Sequence, residues 1–167
     1  MIATPAPEGE PRPAPRPLLM SLRPRFAQAI LEGVKTVELR RTRVSAPLGT
    51  LLVLYASSPV MSVVGVATLT SSETSSLETI WQRYGPHLGL SAQEFYDYLA
   101  GAEHATALSM ANAQPLTDPL TLATLRTYSA FRPPQSYRYV TSTDPSPITA
   151  LAEAAISRRY GWTAAST

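Results

Sequence analysis

From position 18 the chain alternates short apolar runs with stretches whose apolar residues recur at helical spacing. Leu18–Leu22 (LLMSL) reads as a short strand. Pro24 suits the first turn of a helix, because its fixed φ fits there and its missing N–H is not needed. Phe26, Ala27, Ile30, Leu31 and Val34 then supply an amphipathic stripe, and Gly33 is the natural C-terminal stop. From Lys35 to Arg41 the period changes to two: Val37 and Leu39 lie on one face, Thr36, Glu38 and Arg40 on the other. That pattern predicts a strand with one buried face. Pro47-Leu-Gly49 marks a turn before Thr50–Ala56 (TLLVLYA). Ser57-Ser-Pro59 separates that run from Ser62–Leu69 (SVVGVATL), and the two strands make a hairpin.

The middle of the chain is helical in pattern over Leu77–Tyr84 and Ser91–Leu99. The second segment opens with Ser91 and carries Glu94 three residues on, the spacing of a capping box. β character returns at Thr106–Ala113, Ala123–Tyr128 and Tyr137–Val140. Ile148–Arg159 reads as a closing helix with Ile148, Leu151, Ala152, Ala155 and Ile156 on its inner stripe. The sum is an α+β fold: a five- or six-stranded, mostly antiparallel sheet curled into a barrel, with helices inserted and flanking.

Residues 1–17 hold six of the 16 prolines in an alternating Pro/Ala/Arg/Glu stretch, which predicts a disordered or polyproline-II lead-in. A single domain over 18–160 and a short tail over 161–167 complete the organisation. The lead-in lacks the uninterrupted apolar run of a secretory signal. No segment approaches the roughly 18 apolar residues of a membrane helix, so the expected setting is the cytoplasm. With no cysteine, and with His87 and His104 far apart, neither disulfides nor a metal site is expected, and nothing calls for a cofactor.

Charge sharpens the picture because it is segregated. Between Arg23 and Arg43 six bases face two acids, whereas between Glu73 and Asp118 six acids face one base, Arg83. One basic face and one acidic face follow. Of the 14 basic residues 13 are Arg, and Lys35 is the one Lys. A lysine that stands alone in an arginine-rich chain marks a position where a compact ammonium of tunable pKa serves and a planar guanidinium does not. Lys35 could equally be a surface cation at a helix C-terminus. Glu38 and Arg40 share its strand, suited to a base edge and a phosphate, or to an ordinary surface ion pair.

The run SLRPRFAQAILEGVKTVELRR (Ser21–Arg41) carries Gly33, Lys35, Glu38 and Arg40 directly after a helix. VLYASSPVMSVVGVATL and PPQSYRY (Pro133–Tyr139) follow in order. In these three segments the chain resembles the ASCH domain, a branch of the PUA-like β-barrel superfamily, over roughly residues 18–140. The resemblance implies a PUA-like barrel whose cleft binds RNA or a nucleobase. Some relatives deacetylate N4-acetylcytidine, using the motif lysine with a threonine nucleophile three residues later and a glutamate from another strand; others are ribonucleases. Lys35 and Arg40 match the motif, but Glu38 occupies the nucleophile position and brings no hydroxyl.

The leading expectation is therefore an RNA- or nucleotide-binding domain, with a regulatory role open to it. Its binding residues are Lys35, Glu38 and Arg40, with Arg23, Arg41 and Arg43 as a phosphate track. Ser57, at a strand end, either lines a barrel mouth or makes a turn, and Tyr137 either stacks on a base or packs in the core with its hydroxyl satisfied. The alternative is a hydrolase of RNA or of a modified nucleoside, with Lys35 and Glu38 as its acid/base pair. Gly-rich phosphate loops and a nucleophile with a positioned His are both missing from the sequence.

Overall fold

The structure, a computed structural model, describes residues 14–160; residues 1–13 of the expected lead-in and the tail at 161–167 lie outside them. Its strands are β1 (Leu18–Leu22), β2 (Val37–Arg40), β3 (Leu51–Ala56), β4 (Ser62–Ser76), β5 (His104–Thr121) and β6 (Tyr137–Tyr139). The helices are α1 (Pro24–Leu31), α2 (Leu77–Tyr84), α3 (Ala92–Tyr98), α4 (Leu122–Tyr128) and α5 (Ser146–Tyr160). The strands form one sheet in the order β2-β5-β4-β3-β1-β6. Only β1 against β3 is parallel, as the crossover through α1 and β2 requires; the other pairings are antiparallel. Register shifts between β4 and β5 let the long ribbon coil, and the sheet becomes a half-barrel.

Apolar residues sort onto its two surfaces by strand parity. Leu18, Met20, Leu52, Leu54 and Leu69 fill the inner side together with Ala27 and Ile30 of α1. Leu19, Val53, Tyr55 and Val63 face outward under Leu122, Leu125 and Ile148 of α4 and α5. Val37, Leu39, Ala105 and Ala107 face outward at the other end, under Ile80, Leu88, Phe95 and Leu99 of the α2–α3 segment. The helices thus cover what the sheet leaves apolar, and α3 carries the expected capping box between Ser91 and Glu94.

Four expectations need correction. Ala123–Tyr128 is helical, not extended: the Thr121 hydroxyl caps α4 by accepting from the Thr124 amide, and Leu122 and Leu125 bury one face. α1 ends at Leu31, so Val34 is 66% exposed instead of packing on the stripe. Gly33, at φ +78°, does end the helix, a conformation that costs glycine nothing. The polar run Ser71–Ser76, unassigned by pattern, extends β4 and pairs with His104–Ser109. Finally, β2 is buried on both faces. Among the described residues no helix is long and apolar enough to cross a membrane.

Candidate functional site

Lys35 lies between α1 and β2, and local geometry turns its side chain inward. Its amide donates to the Ala29 carbonyl at the end of α1, and the next amide, Thr36 N–H, donates to His87 O in the turn before α3. The side chain is only 2% exposed. Gly89 presses on it from above: at φ +67°, a Cβ there would meet the Lys35 Cβ at 3.3 Å. The ammonium donates to Leu88 O at 2.5 Å, lies 3.3 Å from Glu38 Oε2 and sits 5.1 Å from the Phe26 ring centroid. Burial pushes the Lys35 pKa below the ordinary 10.5, against the opposing pull of Glu38.

Glu38 is the centre of a buried triad. Its Oε2 faces Lys35, and its Oε1 lies 3.3 Å from Arg40 Nη2. Arg40 also donates through Nη2 to the Ser21 carbonyl (3.1 Å) and through Nη1 to Ser136 Oγ (3.0 Å). Ser21 lies on β1 and Ser136 immediately precedes β6, while Arg40 ends β2. β2 and β6 are opposite edges of the sheet, so one guanidinium spans the open side of the half-barrel where no backbone ladder does. Arg40 Nε is buried without a partner among the described residues, a free donor in an otherwise satisfied network. Two cations around one carboxylate leave the triad with a net positive charge.

The triad opens on a cavity of about 450 Å3, also lined by Ser21, Arg23, Phe26, Leu90, Asp97 and Tyr98. That volume falls in the ordinary range for small-ligand sites. Part of one wall is α3, tied down from two sides. Arg25 holds Glu94 bidentately, Nη1–Oε2 2.6 Å and Nη2–Oε1 3.1 Å. Arg41 donates to the Tyr98 and Ala100 carbonyls at the C-terminal end of the helix, where a cation is favoured by the helix dipole.

The hydrogen bond from Arg25, helped by the Ser91 amide, holds the Glu94 carboxyl down at about 2, against an ordinary 4.5. A carboxyl depressed in the folded state contributes stability above its ordinary pKa and loses it as the pH falls through the lowered one. The protection of the α3 amides, exchange corrected for its intrinsic pH dependence, is therefore expected to be steady above about pH 4.5 and to fall between 4.5 and about 2. Arg25→Gln should shrink that acid transition to the part held by the Ser91 amide; an unchanged transition would show that another group anchors α3.

The structure brings Lys35, Glu38, Arg40 and Arg23 to one cavity and separates the other sequence candidates from it. Arg41 caps α3. Arg43 lines a different cavity, with Ser45 and Tyr139. Ser57 stands at the end of β3, outside the lining, with its amide on Leu22 O. Tyr137 packs half-buried on the inner core. Sequence reading missed Ser21, Ser136, Phe26, Asp97 and Tyr98. Ser136 stood inside the PPQSYRY segment beside Tyr137, the residue chosen instead.

Comparison with known proteins places residues 18–141 in a family described as a domain of unknown function, DUF365. An ASCH domain-containing ribonuclease of Zymomonas mobilis is 38% identical over 134 residues, 80% of this chain and 90% of that protein. The crystal structure of ASCH from Zymomonas mobilis superposes with a TM-score of 0.75 at 36% identity, covering 83% of this chain and 94% of that one. The large ribosomal subunit protein uL22 of Ureaplasma parvum is 27% identical over 74% of this chain but only 39% of its own length.

Proposed function

The chain belongs to the ASCH family, and from that premise we propose that it binds single-stranded RNA, seating one unpaired nucleotide in the cavity over Lys35, Glu38 and Arg40. The observation that carries the reading is the buried triad. Two cations and a carboxylate kept out of water cost stability unless they are fully paired, and here they are directed into a cavity of nucleotide scale. A cavity of about 450 Å3 has no room for a duplex, whereas a splayed nucleotide offers base edge, 2′-hydroxyl and phosphate to such a site. The Glu38 oxygens accept from an exocyclic amine or hydroxyl, and Arg40 and Lys35 donate to carbonyl or phosphate oxygens.

A second reading, that the bound strand is cut, rests on one specific observation. Lys35 is buried with its pKa pushed below the ordinary 10.5 and lies 3.3 Å from the Glu38 carboxylate, a pairing that can pass a proton as general acid or base. The related Zymomonas mobilis protein is a ribonuclease by name. In such a cleavage the 2′-oxygen attacks phosphorus, its proton passes to a base, and the 5′-oxygen departs with a proton from an acid. The products are a 2′,3′-cyclic phosphate and a free 5′-hydroxyl.

Both readings are tested by titrating a mixed single-stranded RNA pool and a duplex of equal length while following product by mass. Binding to the single strand, weakened at least about tenfold in Lys35→Met, is expected. Equal affinity for the duplex would sink the nucleotide-seat reading. A cyclic phosphate formed by the wild type and absent with Lys35→Met would add cleavage to binding.

A further inference from the structure

The seam between the two sheet edges continues beyond Arg40. On its far side a second cavity of about 570 Å3 is lined by Arg43, Ser45, Pro47, Ser72, Thr74 and Tyr139. The two cavities are linked through the sheet: Thr106 pairs with Arg40 on one side and with Thr74 on the other, and the two threonine hydroxyls lie 2.8 Å apart. Arg40 and Arg43 are three residues apart, at most about 11 Å of chain. A strand seated in the first cavity would have to extend only a nucleotide or two along the seam to come within reach of Arg43.

The charge of the two linings differs. Among the described residues the first cavity carries Arg23, Lys35 and Arg40 against Glu38, Glu94 and Asp97, three of each sign. The second has a guanidinium and no carboxylate. Arg43 is exposed and has no hydrogen-bond or ion-pair partner among the described residues. Beside it the half-buried Tyr139 donates its hydroxyl to Ser45 O, which fixes the ring, and Arg16 covers that ring at 5.0 Å from its centroid. A cavity with positive charge, no acid, a fixed aromatic ring and several hydroxyls suits a phosphodiester and its sugar, whereas the balanced first cavity suits the less charged base.

We propose that this second cavity is a distinct phosphate subsite, with Arg43 as its principal contact, that binds the backbone flanking the nucleotide held over Lys35. The proposal rests on the RNA-binding reading above and extends it. The first cavity sets which nucleotide is held, and the second makes affinity depend on chain length and on salt. Arg43→Ala removes an exposed side chain with no partner among the described residues, so the fold is expected to be unaffected.

The experiment compares mixed ribonucleoside 5′-monophosphates with a mixed-sequence tetranucleotide carrying 2′-fluoro sugars, which cannot be cut by 2′-hydroxyl attack. Wild type, Arg43→Ala and Lys35→Met are titrated with each at several salt concentrations. In the wild type the tetranucleotide is expected to bind on the order of tenfold tighter, with an affinity that falls as salt rises. Arg43→Ala should erase most of that gain, reduce the log–log salt slope by about 0.7 and leave mononucleotide affinity alone. If the tetranucleotide keeps its advantage and its salt slope in Arg43→Ala, the second subsite is overturned while the first cavity stands. If Arg43→Ala weakens both ligands equally, Arg43 belongs to one undivided site and the division fails. If neither ligand binds the wild type, or Lys35→Met binds both as well as the wild type, the nucleotide-seat reading fails and takes this one with it.

Discussion

Glu38→Gln should lower the stability of the fold by about 3–5 kcal/mol, because it leaves two buried cations facing a neutral amide. In a chain of this size that corresponds to a fall in melting midpoint on the order of 10 °C. The cause is the geometry: each Glu38 oxygen faces one cation at 3.3 Å, and the three residues are 2, 7 and 9% exposed. Glutamine keeps the shape and one acceptor but turns the other contact into donor against donor. The loss should be partly recovered in Glu38→Gln combined with Lys35→Met, which removes one of the stranded charges, and the difference from additivity measures the pair's coupling. A Glu38→Gln midpoint indistinguishable from the wild type would mean the triad is hydrated in solution and not the dry network described above.

The same geometry changes how Glu38 can be used as a probe. On a solvated strand Glu38→Gln would remove a base and spare everything else. In the observed fold Glu38 also orients both cations, and through Arg40 it bears on the contacts that hold Ser21 and Ser136 together across the open seam. Lost activity in that variant therefore reports on chemistry and on architecture together. Lys35 separates the two better, since its ammonium ends at the cavity and its loss leaves the Arg40–Glu38 pair and the seam contact in place.

Which parts of this were legible in the sequence follows from how local each signal is. The hairpin of β3 and β4, the capping box of α3 and the Gly33 stop are written within a few residues, and pattern reading finds them. The pattern misses α4 because the strand-favouring Thr124, Thr127 and Tyr128 outweigh a Thr cap and two leucines three apart. Ser71–Ser76 carries no apolar alternation; it is extended because β5 supplies a partner about thirty residues later. The isolation of Lys35 among arginines was visible, and it drew attention to the right position. Its burial was not visible, because the atoms that cover it come from Phe26 on α1 and from Leu88 and Gly89 in the loop before α3. Ser21 and Ser136 are 115 positions apart and acquire their role only when β1 and β6 pair. The period-two rule correctly gave β2 two faces. It could not say that the polar face looks into a cavity walled in part by α3.

Lys35→Arg should fail where a simple counter-charge would succeed. The replacement keeps the positive charge but places a planar fork where Phe26, Leu88 O and the Gly89 backbone leave room for an ammonium. Overpacking of this kind costs about 1–3 kcal/mol, and a guanidinium keeps its proton at any working pH. RNA affinity in Lys35→Arg is therefore expected to fall with that of Lys35→Met, by at least about tenfold, in protein that still melts cooperatively. The wild type should add a pH signature. Because burial lowers the Lys35 pKa from 10.5, the folded protein binds fewer protons than the unfolded chain between the lowered value and 10.5. The cost of burying the ammonium is then fully present below the lowered value, and stability rises with pH through that window. If Lys35 takes a proton in strand cleavage, the rate rises over the foot of the same window and the rise is missing in Lys35→Arg; if it gives one, the rate falls there. Near wild-type binding by Lys35→Arg, with an unaltered pH dependence, would reduce Lys35 to a fixed charge against a phosphate and leave the acid/base role without support.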